Sequence, residues 1–344
     1  MLFDHEEFEH ESVIFGRDPE RGLTAIIAIH NRARGPAIGG CRMLPYPDER
    51  SALTDVLRLS KGMTYKCAIG DIPFGGGKAV IIGDPGTDKN RTLLHAMGDL
   101  VDHLGGHYIT SFDSGTTIDD IAVIAERTRH VGGIKPGAGN ASESTAYGVF
   151  VCMREAARLR LGAGSLSGLR VAIQGAGNVG SRLARRVADA GGEVLIADRD
   201  EARASAVAAE TGGTLVPVDS IATAECDVFS PCALGGVLSR DSVAELSCPI
   251  VCGGANNQLS ELAVADILVD RNILYCPDYL ANAGGIIDLH YQLNEPTDSA
   301  LAQHLESLGK TLRDCHRYST EHGVSMARAA DRTAEARFRQ GTRS

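Results

Sequence analysis

The segment Gly175-Ala-Gly177-Asn-Val-Gly180 constrains this chain more than any other. It follows an apolar run at 171–174 that reads as a strand, and it opens a helical segment at 178–190. In that setting the first glycine turns the chain and the second lets a pyrophosphate approach the backbone. The third allows close helix–strand packing, and the helix start offers unpaired N–H groups to phosphate oxygens. The next strand, 193–197, ends in Asp198, 23 residues after Gly175. A carboxylate there can accept hydrogen bonds from both ribose hydroxyls and repels a 2′-phosphate, which points to NAD, although Arg199 stands beside it. The expected cofactor site therefore includes Gly175, Gly177, Asn178, Val179, Gly180, Asp198 and Arg199.

Around this unit, short apolar strands at 171–174, 193–197, 226–229, 249–252 and 273–276 alternate with helical segments, the pattern of a parallel doubly wound sheet. The first third of the chain mixes a buried strand at 23–29 with helices at 50–66 and 89–104, the second capped by Asp88 and ended by Gly105-Gly106. Residues 131–144, VGGIKPGAGNASES, carry no apolar period and predict a hinge. The fold class is α/β in two domains with an inter-domain cleft. An N-terminal α/β catalytic domain spans 1–131, joined by C-terminal helices at about 291–344, and a Rossmann NAD-binding domain spans 140–290.

A length of 344 residues suits two cores. The net charge of −10 serves neither nucleic-acid phosphates nor anionic lipid, and no apolar run approaches the ~20 residues that span a bilayer. Nine cysteines without a C-x-x-C pair, behind an acidic N-terminus, fit reduced thiols and a cytoplasmic protein. His103 and His107 have metal-ligand spacing, but Gly105 and Gly106 between them break any helix, so no metal is expected.

Three ionisable residues precede the hinge: Lys66 in KGMTYK, Lys78 after Gly75-Gly76-Gly77, and Asp113 in YITSFDSGTT. Singly, each reads as a surface lysine or a turn aspartate. A lysine between three glycines and the apolar AVII is different. Burial and a second lysine nearby would depress its pKa, as a lysine general base requires. A P-loop is excluded, because Ala79 follows the lysine and Ile72 stands five residues before Gly77.

The segments GGCRMLPYP from Gly39, KGMTYK from Lys61, PFGGGK from Pro73, YITSFDSGTT from Tyr108 and TAYGV from Thr145 resemble the leucine/phenylalanine/valine dehydrogenase branch of the glutamate dehydrogenase superfamily. So do FSPCALGG from Phe229, ANNQL from Ala255 and PDYLANAGGII from Pro277, in order and at compatible spacing from about residue 10 to 295. The resemblance implies NAD-dependent oxidative deamination of an L-amino acid to a 2-oxo acid and ammonia by a homo-oligomer. It implies that Lys66, with the backbone at Gly39 and Gly40, holds the substrate carboxylate. Lys78 is then the base that activates water, and Asp113 relays protons at the amine. Asn257 reaches substrate and nicotinamide ribose, while Thr145, Cys232, Ala233 and Ala255 border the cofactor. Met63, Ser111 and Phe112 complete the substrate site. Two places depart from the family pattern: Asn140-Ala-Ser-Glu-Ser stands where a proline-containing segment is common, and Phe112 precedes the aspartate.

Glutamate-specific relatives carry a lysine at the position of Ile38 and a hydroxyl at that of Leu289. A buried γ-carboxylate would find no partner here, so glutamate is excluded. Ser111 and Ile286 resemble aliphatic-preferring members, which favours valine, leucine or isoleucine over phenylalanine. A catalytically silent NAD-binding regulator is the third reading, and intact Lys66, Lys78 and Asp113 argue against it.

Overall fold

A computed structural model describes residues 8–134, 141–294 and 298–339. The chain divides into a first unit (up to 138, with 292–295 and 334–344) and a second (139–291 and 296–333). Among the described residues no helix is long and apolar enough to cross a membrane.

The first unit is built from β1 (Ser12–Asp18), β2 (Leu23–Asn31), β3 (Ala37–Leu44), α1 (Glu49–Ile69), β4 (Gly75–Ile82), α2 (Arg91–His103), β5 (Tyr108–Phe112) and α3 (Ile118–Ala125). Its five strands run in the order β1-β2-β4-β3-β5. β2 pairs antiparallel with β1 and β4, whereas β3 pairs parallel with β4 and β5. Because side chains alternate across a strand, each strand feeds two cores. Ile27, Cys41, Met43, Ala79 and Ile81 meet α2 and α3 on one face. Ile26, Ala28 and Val80 meet Ala52, Val56 and Leu57 of α1 on the other.

The three glycines before Lys78 are strand residues that open β4, rather than a loop ahead of it. Each is required by a different close approach. A Cβ on Gly75 would fall 2.1 Å from the Asn31 carbonyl oxygen, and one on Gly76 would fall 2.0 Å from the Thr64 backbone nitrogen. A Cβ on Gly77 would press against the Tyr108 ring at 2.8 Å. Helix α2 is capped by Asn90, whose side chain accepts from Leu93 N–H, and not by Asp88, which accepts from Asp84 N–H instead.

The second unit holds α4 (Ala141–Leu161), β6 (Arg170–Gln174), α5 (Asn178–Asp189), β7 (Glu193–Ala197), α6 (Glu201–Thr211), β8 (Thr214–Leu215), β9 (Val228–Pro231), α7 (Arg240–Glu245), β10 (Ile250–Val251), α8 (Val264–Asp270) and β11 (Leu274–Tyr275). It continues through α9 (Asp278–Ala281), α10 (Gly284–Leu293), α11 (Asp298–His322) and α12 (Met326–Arg339), of which Ala334 onward counts with the first unit. All six strands are parallel, ordered β8-β7-β6-β9-β10-β11. That is the doubly wound dinucleotide-binding order, whose topological switch point lies between β6 and β9.

Two sequence expectations need correction here. The stretch 131–144 is not a loop throughout: α4 begins at Ala141, while 135–140 lie outside the described residues. Tertiary partners satisfy the polar start of α4. Ser144 Oγ donates to Asp288 Oδ2 at 2.7 Å, and Arg182 and Arg186 bind Glu143. Likewise the last helices do not all join the first unit. α11 packs on α4 through Leu308, which faces Gly148, and through Arg313, which pairs at 2.8 Å with the buried Glu155. Burial pushes the Glu155 carboxyl up, but Arg313 and Arg158 outweigh it and pull it down to about 2.

Candidate active site

Alternation along β3, β4 and β5 gathers the chemistry of the first unit on the face that carries α1. Lys78 lies between Gly76, against Thr64, and Val80, against the α1 core. On β3 the same parity brings Ile38, Gly40 and Arg42, and on β5 it brings Ser111, followed by Asp113 just beyond the strand end. Gly40 is in register with Ser111. Its hydrogen faces Asp113 so closely that a Cβ would lie 2.8 Å from the Asp113 Cβ.

The loop carrying Asp113 is fastened to β3 by its backbone. Met43 N–H donates to Ser114 O at 2.9 Å, and Thr116 Oγ1 donates to Cys41 O at 2.7 Å. Gly115, at φ +81°, must be glycine, because a Cβ would sit 1.9 Å from the Met43 carbonyl oxygen. Lys89 holds the far side of the loop by donating to Gly115 O and pairing with Asp120.

Lys78, only 6% exposed, places Nζ 2.7 Å from Asp113 Oδ2. Arg42 Nε donates to the same oxygen at 3.0 Å. Burial raises the Asp113 carboxyl, but the Lys78 ammonium and the Arg42 guanidinium outweigh it and hold the group below the ordinary carboxylate range. A carboxylate thus stands directly beside Lys78.

Lys66 and Met63 are half-buried near the C-terminal end of α1, three residues apart and so on one side of the helix. The Gly39 and Gly40 carbonyls are engaged by the Tyr108 hydroxyl, at 2.8 Å for Gly39, which fixes this glycine pair. Ile38 is fully buried and Ser111 is buried. Phe112 is set apart: the pleat turns it away from Ser111, and it is 40% exposed.

In the second unit, the Gly-rich turn sits at the switch point. Gly175 has φ +109°, and its Cβ position is 2.9 Å from Ala233 Cβ in the Cys232-Ala233 turn after β9. A Cβ on Gly180 would strike Gly175 O at 1.9 Å, whereas one on Gly177 would meet nothing within 4 Å. This is an open approach to the start of α5, with Asn178 exposed and Val179 against Gly254. Asp198 is already engaged: Oδ2 accepts from Ala176 N–H at 2.7 Å and Oδ1 from Asp200 N–H at 2.8 Å. Each oxygen keeps a second lone pair for a hydroxyl. Arg199 beside it is exposed.

Asn257 adopts φ +51°, a conformation asparagine tolerates better than most residues. Its turn is held by the buried Gln258, whose Nε2 donates to Gly253 O and Ala255 O. Asn282 also contributes, donating to Asn256 Oδ1 at 2.9 Å. Asn282 Oδ1 and Gln258 Oε1 are buried acceptors without a partner among the described residues. Gly285 brings the start of α10, with the buried Ile286 and Leu289, so close to Thr145 that a Cβ on Gly285 would lie 2.8 Å from Thr145 Oγ1. An open glycine cradle, a free helix start, a hydroxyl-accepting carboxylate and an orphan amide acceptor could together hold a dinucleotide.

Arg42, Asp55 and Tyr46 are absent from the sequence-based site. Arg42 lies inside the quoted GGCRM segment, but nothing in its spacing announces an ion pair with a residue 71 positions away.

The sequence profile described as "Glu/Leu/Phe/Val dehydrogenase, dimerisation domain" matches residues 10–130. The profile "Glutamate/Leucine/Phenylalanine/Valine dehydrogenase" matches 136–212 and 196–341. A leucine dehydrogenase of Thermoactinomyces intermedius is 40% identical over 98% of this chain and 93% of that protein. A phenylalanine dehydrogenase of the same organism is 42% identical over the same shares. Among solved structures, L-tryptophan dehydrogenase from Nostoc punctiforme superposes with a TM-score of 0.90 at 39% identity over all of both chains.

Proposed function

Because the chain belongs to the Glu/Leu/Phe/Val dehydrogenase family and is an amino-acid dehydrogenase, we propose that it carries out NAD-dependent oxidative deamination of an apolar L-amino acid, and the reverse reductive amination. Valine, leucine and isoleucine stand ahead of phenylalanine. The observation that carries this reading is the pairing of the buried Lys78 with the half-buried Asp113, 2.7 Å apart on the glycine-lined face of the first unit.

In this reading the Lys66 ammonium and the backbone at Gly39 and Gly40 hold the substrate carboxylate, because a charge-assisted contact fixes orientation as well as affinity. The turn Gly175–Gly180, Asp198, Thr145, Cys232, Ala233, Ala255 and Asn257 hold NAD. When bound, its oxidised nicotinamide supplies an acceptor for hydride from the substrate Cα. Lys78 Nζ then takes a proton from the water that adds to the iminium carbon. Asp113 Oδ2, 2.7 Å from Nζ, holds the lysine in place and stabilises the ammonium that this step creates. The Asp113 carboxylate exchanges protons with the departing amine, and products are the 2-oxo acid and ammonia.

Apolar substrate choice rests on Ile38, Ile286 and Leu289, all buried and none able to pair a side-chain carboxylate. The similarity to phenylalanine and tryptophan dehydrogenases supports the second reading, an aromatic substrate. Description of the 10–130 profile as a dimerisation domain supports a homo-oligomer. A panel of L-amino acids with NAD, followed by the ultraviolet absorbance of reduced nicotinamide, tests the proposal. The highest kcat/KM should fall on valine, leucine or isoleucine. A maximum on phenylalanine or tryptophan would transfer the proposal to the aromatic reading, and turnover of glutamate alone would overturn it.

A further inference from the structure

Behind the Lys78–Asp113 pair lies a second layer of charge. Arg42 spans two carboxylates: Nε donates to Asp113 Oδ2 at 3.0 Å, and Nη1 donates to Asp55 Oδ2 at 2.9 Å and Oδ1 at 3.3 Å. Tyr46 OH closes the arrangement from the other side, donating to Asp55 Oδ2 at 2.6 Å. The residues come from β4, the loop after β5, β3, α1 and the segment after β3, so no single local motif builds it. Charges alternate along it: Lys78 positive, Asp113 negative, Arg42 positive, Asp55 negative.

Both cations converge on one oxygen of Asp113, Oδ2, and the Ser114 backbone N–H also binds the carboxylate. A planar guanidinium is needed to reach two carboxylates from different edges, which a lysine ammonium does not reproduce. Resting on the role proposed above for Asp113, we infer that Arg42 is a positioning residue for the reaction. Clamped by Asp55 and Tyr46, it fixes the orientation in which the Asp113 carboxylate meets the protons of the substrate amine.

The other titratable groups around Asp113 do not compete for this role. Burial pushes the Cys41 thiol up to about 12 and the Tyr108 phenol well above its usual value, so both stay neutral. Tyr46 is likewise raised, by burial and by Asp55. The side chains that hold Asp113 ionised are therefore Lys78 and Arg42, aided by the Ser114 backbone N–H, with Asp55 acting through Arg42.

The test compares Arg42→Met, Arg42→Lys and Tyr46→Phe in the full-length enzyme with NAD and its best amino acid. It reads kcat, KM and the pH profile of kcat/KM. Arg42→Met should lose kcat by up to about 100-fold, the scale of a misplaced catalytic group, with KM changed far less. Its acidic limb should move to higher pH, because the positive charge that favours both the ionised Asp113 and the neutral form of Lys78 is gone. Arg42→Lys should return the limb toward its original position while recovering only part of kcat, and Tyr46→Phe should move the limb slightly the same way as Arg42→Met. If Arg42→Met does not fold, the lysine and phenylalanine variants carry the test. An unmoved acidic limb, or a loss confined to KM, overturns the inference. Asp113→Asn separates the two levels: if it keeps near-normal kcat, the proposed role of Asp113 fails; if it is inactive while the Arg42 variants leave the limb unmoved, only the role of Arg42 fails.

Discussion

Gly76 of β4 and Thr64 of α1 are in direct backbone contact, since a Cβ on Gly76 would fall 2.0 Å from the Thr64 nitrogen. The helix that carries Lys66 is therefore seated on the strand that carries Lys78 where Gly76 brings no side chain of its own. Gly76→Ala should lift α1 and lower the melting temperature, with an overpacking cost of ~1–3 kcal/mol, and should raise KM through Lys66. Gly62→Ala, on the same helix with nothing within 4 Å of its Cβ position, should instead stabilise by ~0.5–1 kcal/mol. Thermal melts and steady-state kinetics of the two variants check this, and equal effects would refute it.

Lys78 and Lys66 should fail differently. Lys78→Ala should lose kcat by about 10²–10⁴-fold, the usual worth of a general acid–base group, while substrate still binds. Lys66→Ala should chiefly raise KM, since a ground-state contact to a charged group is lost. The same kinetic defect in both would contradict the assigned roles.

Asp198 should favour NAD over NADP in kcat/KM, and Asp198→Ala should erode that preference. The same substitution releases the Ala176 N–H from its acceptor, so KM for NAD should rise as well. Equal efficiency with both cofactors in the unmutated enzyme would count against the assignment.

Acid sensitivity has a specific source in His30, whose Nδ1 lies 2.8 Å from Thr64 Oγ1. Burial first, then the neighbouring His10, hold its pKa down to about 4 from 6.5. Between those values the unfolded chain takes up a proton that the folded protein refuses. Its contribution to stability is therefore complete above 6.5 and declines as pH falls toward 4, by up to ~1.4 kcal/mol per pH unit. His30→Gln should flatten this part of the melting-temperature profile, whatever it does to stability at neutral pH. An unchanged slope would assign the acid sensitivity elsewhere.

The strand–turn–helix around Gly175 is legible in sequence because its determinants are local: an apolar strand, glycines at fixed offsets, a helix start. Lys78 is legible for the same reason, since glycines on one side and AVII on the other announce burial. The bridge from Arg42 to Asp55 and Asp113 is not, because it joins three elements whose register no local pattern encodes. The start of α4 and the seat of α11 escape for a related reason. Glu143, Ser144 and Glu155 look like solvent-facing residues until Arg182, Asp288 and Arg313 are brought to them by the fold.

Asp55 and Lys66 lie eleven residues apart on α1, which at 100° per residue is three turns and a remainder of about 20°, so they share one stripe of the helix some 16 Å apart. One rigid rod thus bears both the clamp on Arg42 and the proposed anchor for the substrate carboxylate. Anyone reshaping α1 to admit a bulkier substrate would be turning two dials with one hand: a tilt that moves Lys66 also moves Asp55. Variants selected for new substrate scope through this helix should come with shifted pH optima, and restoring the optimum will call for changes on β3 rather than further changes on α1.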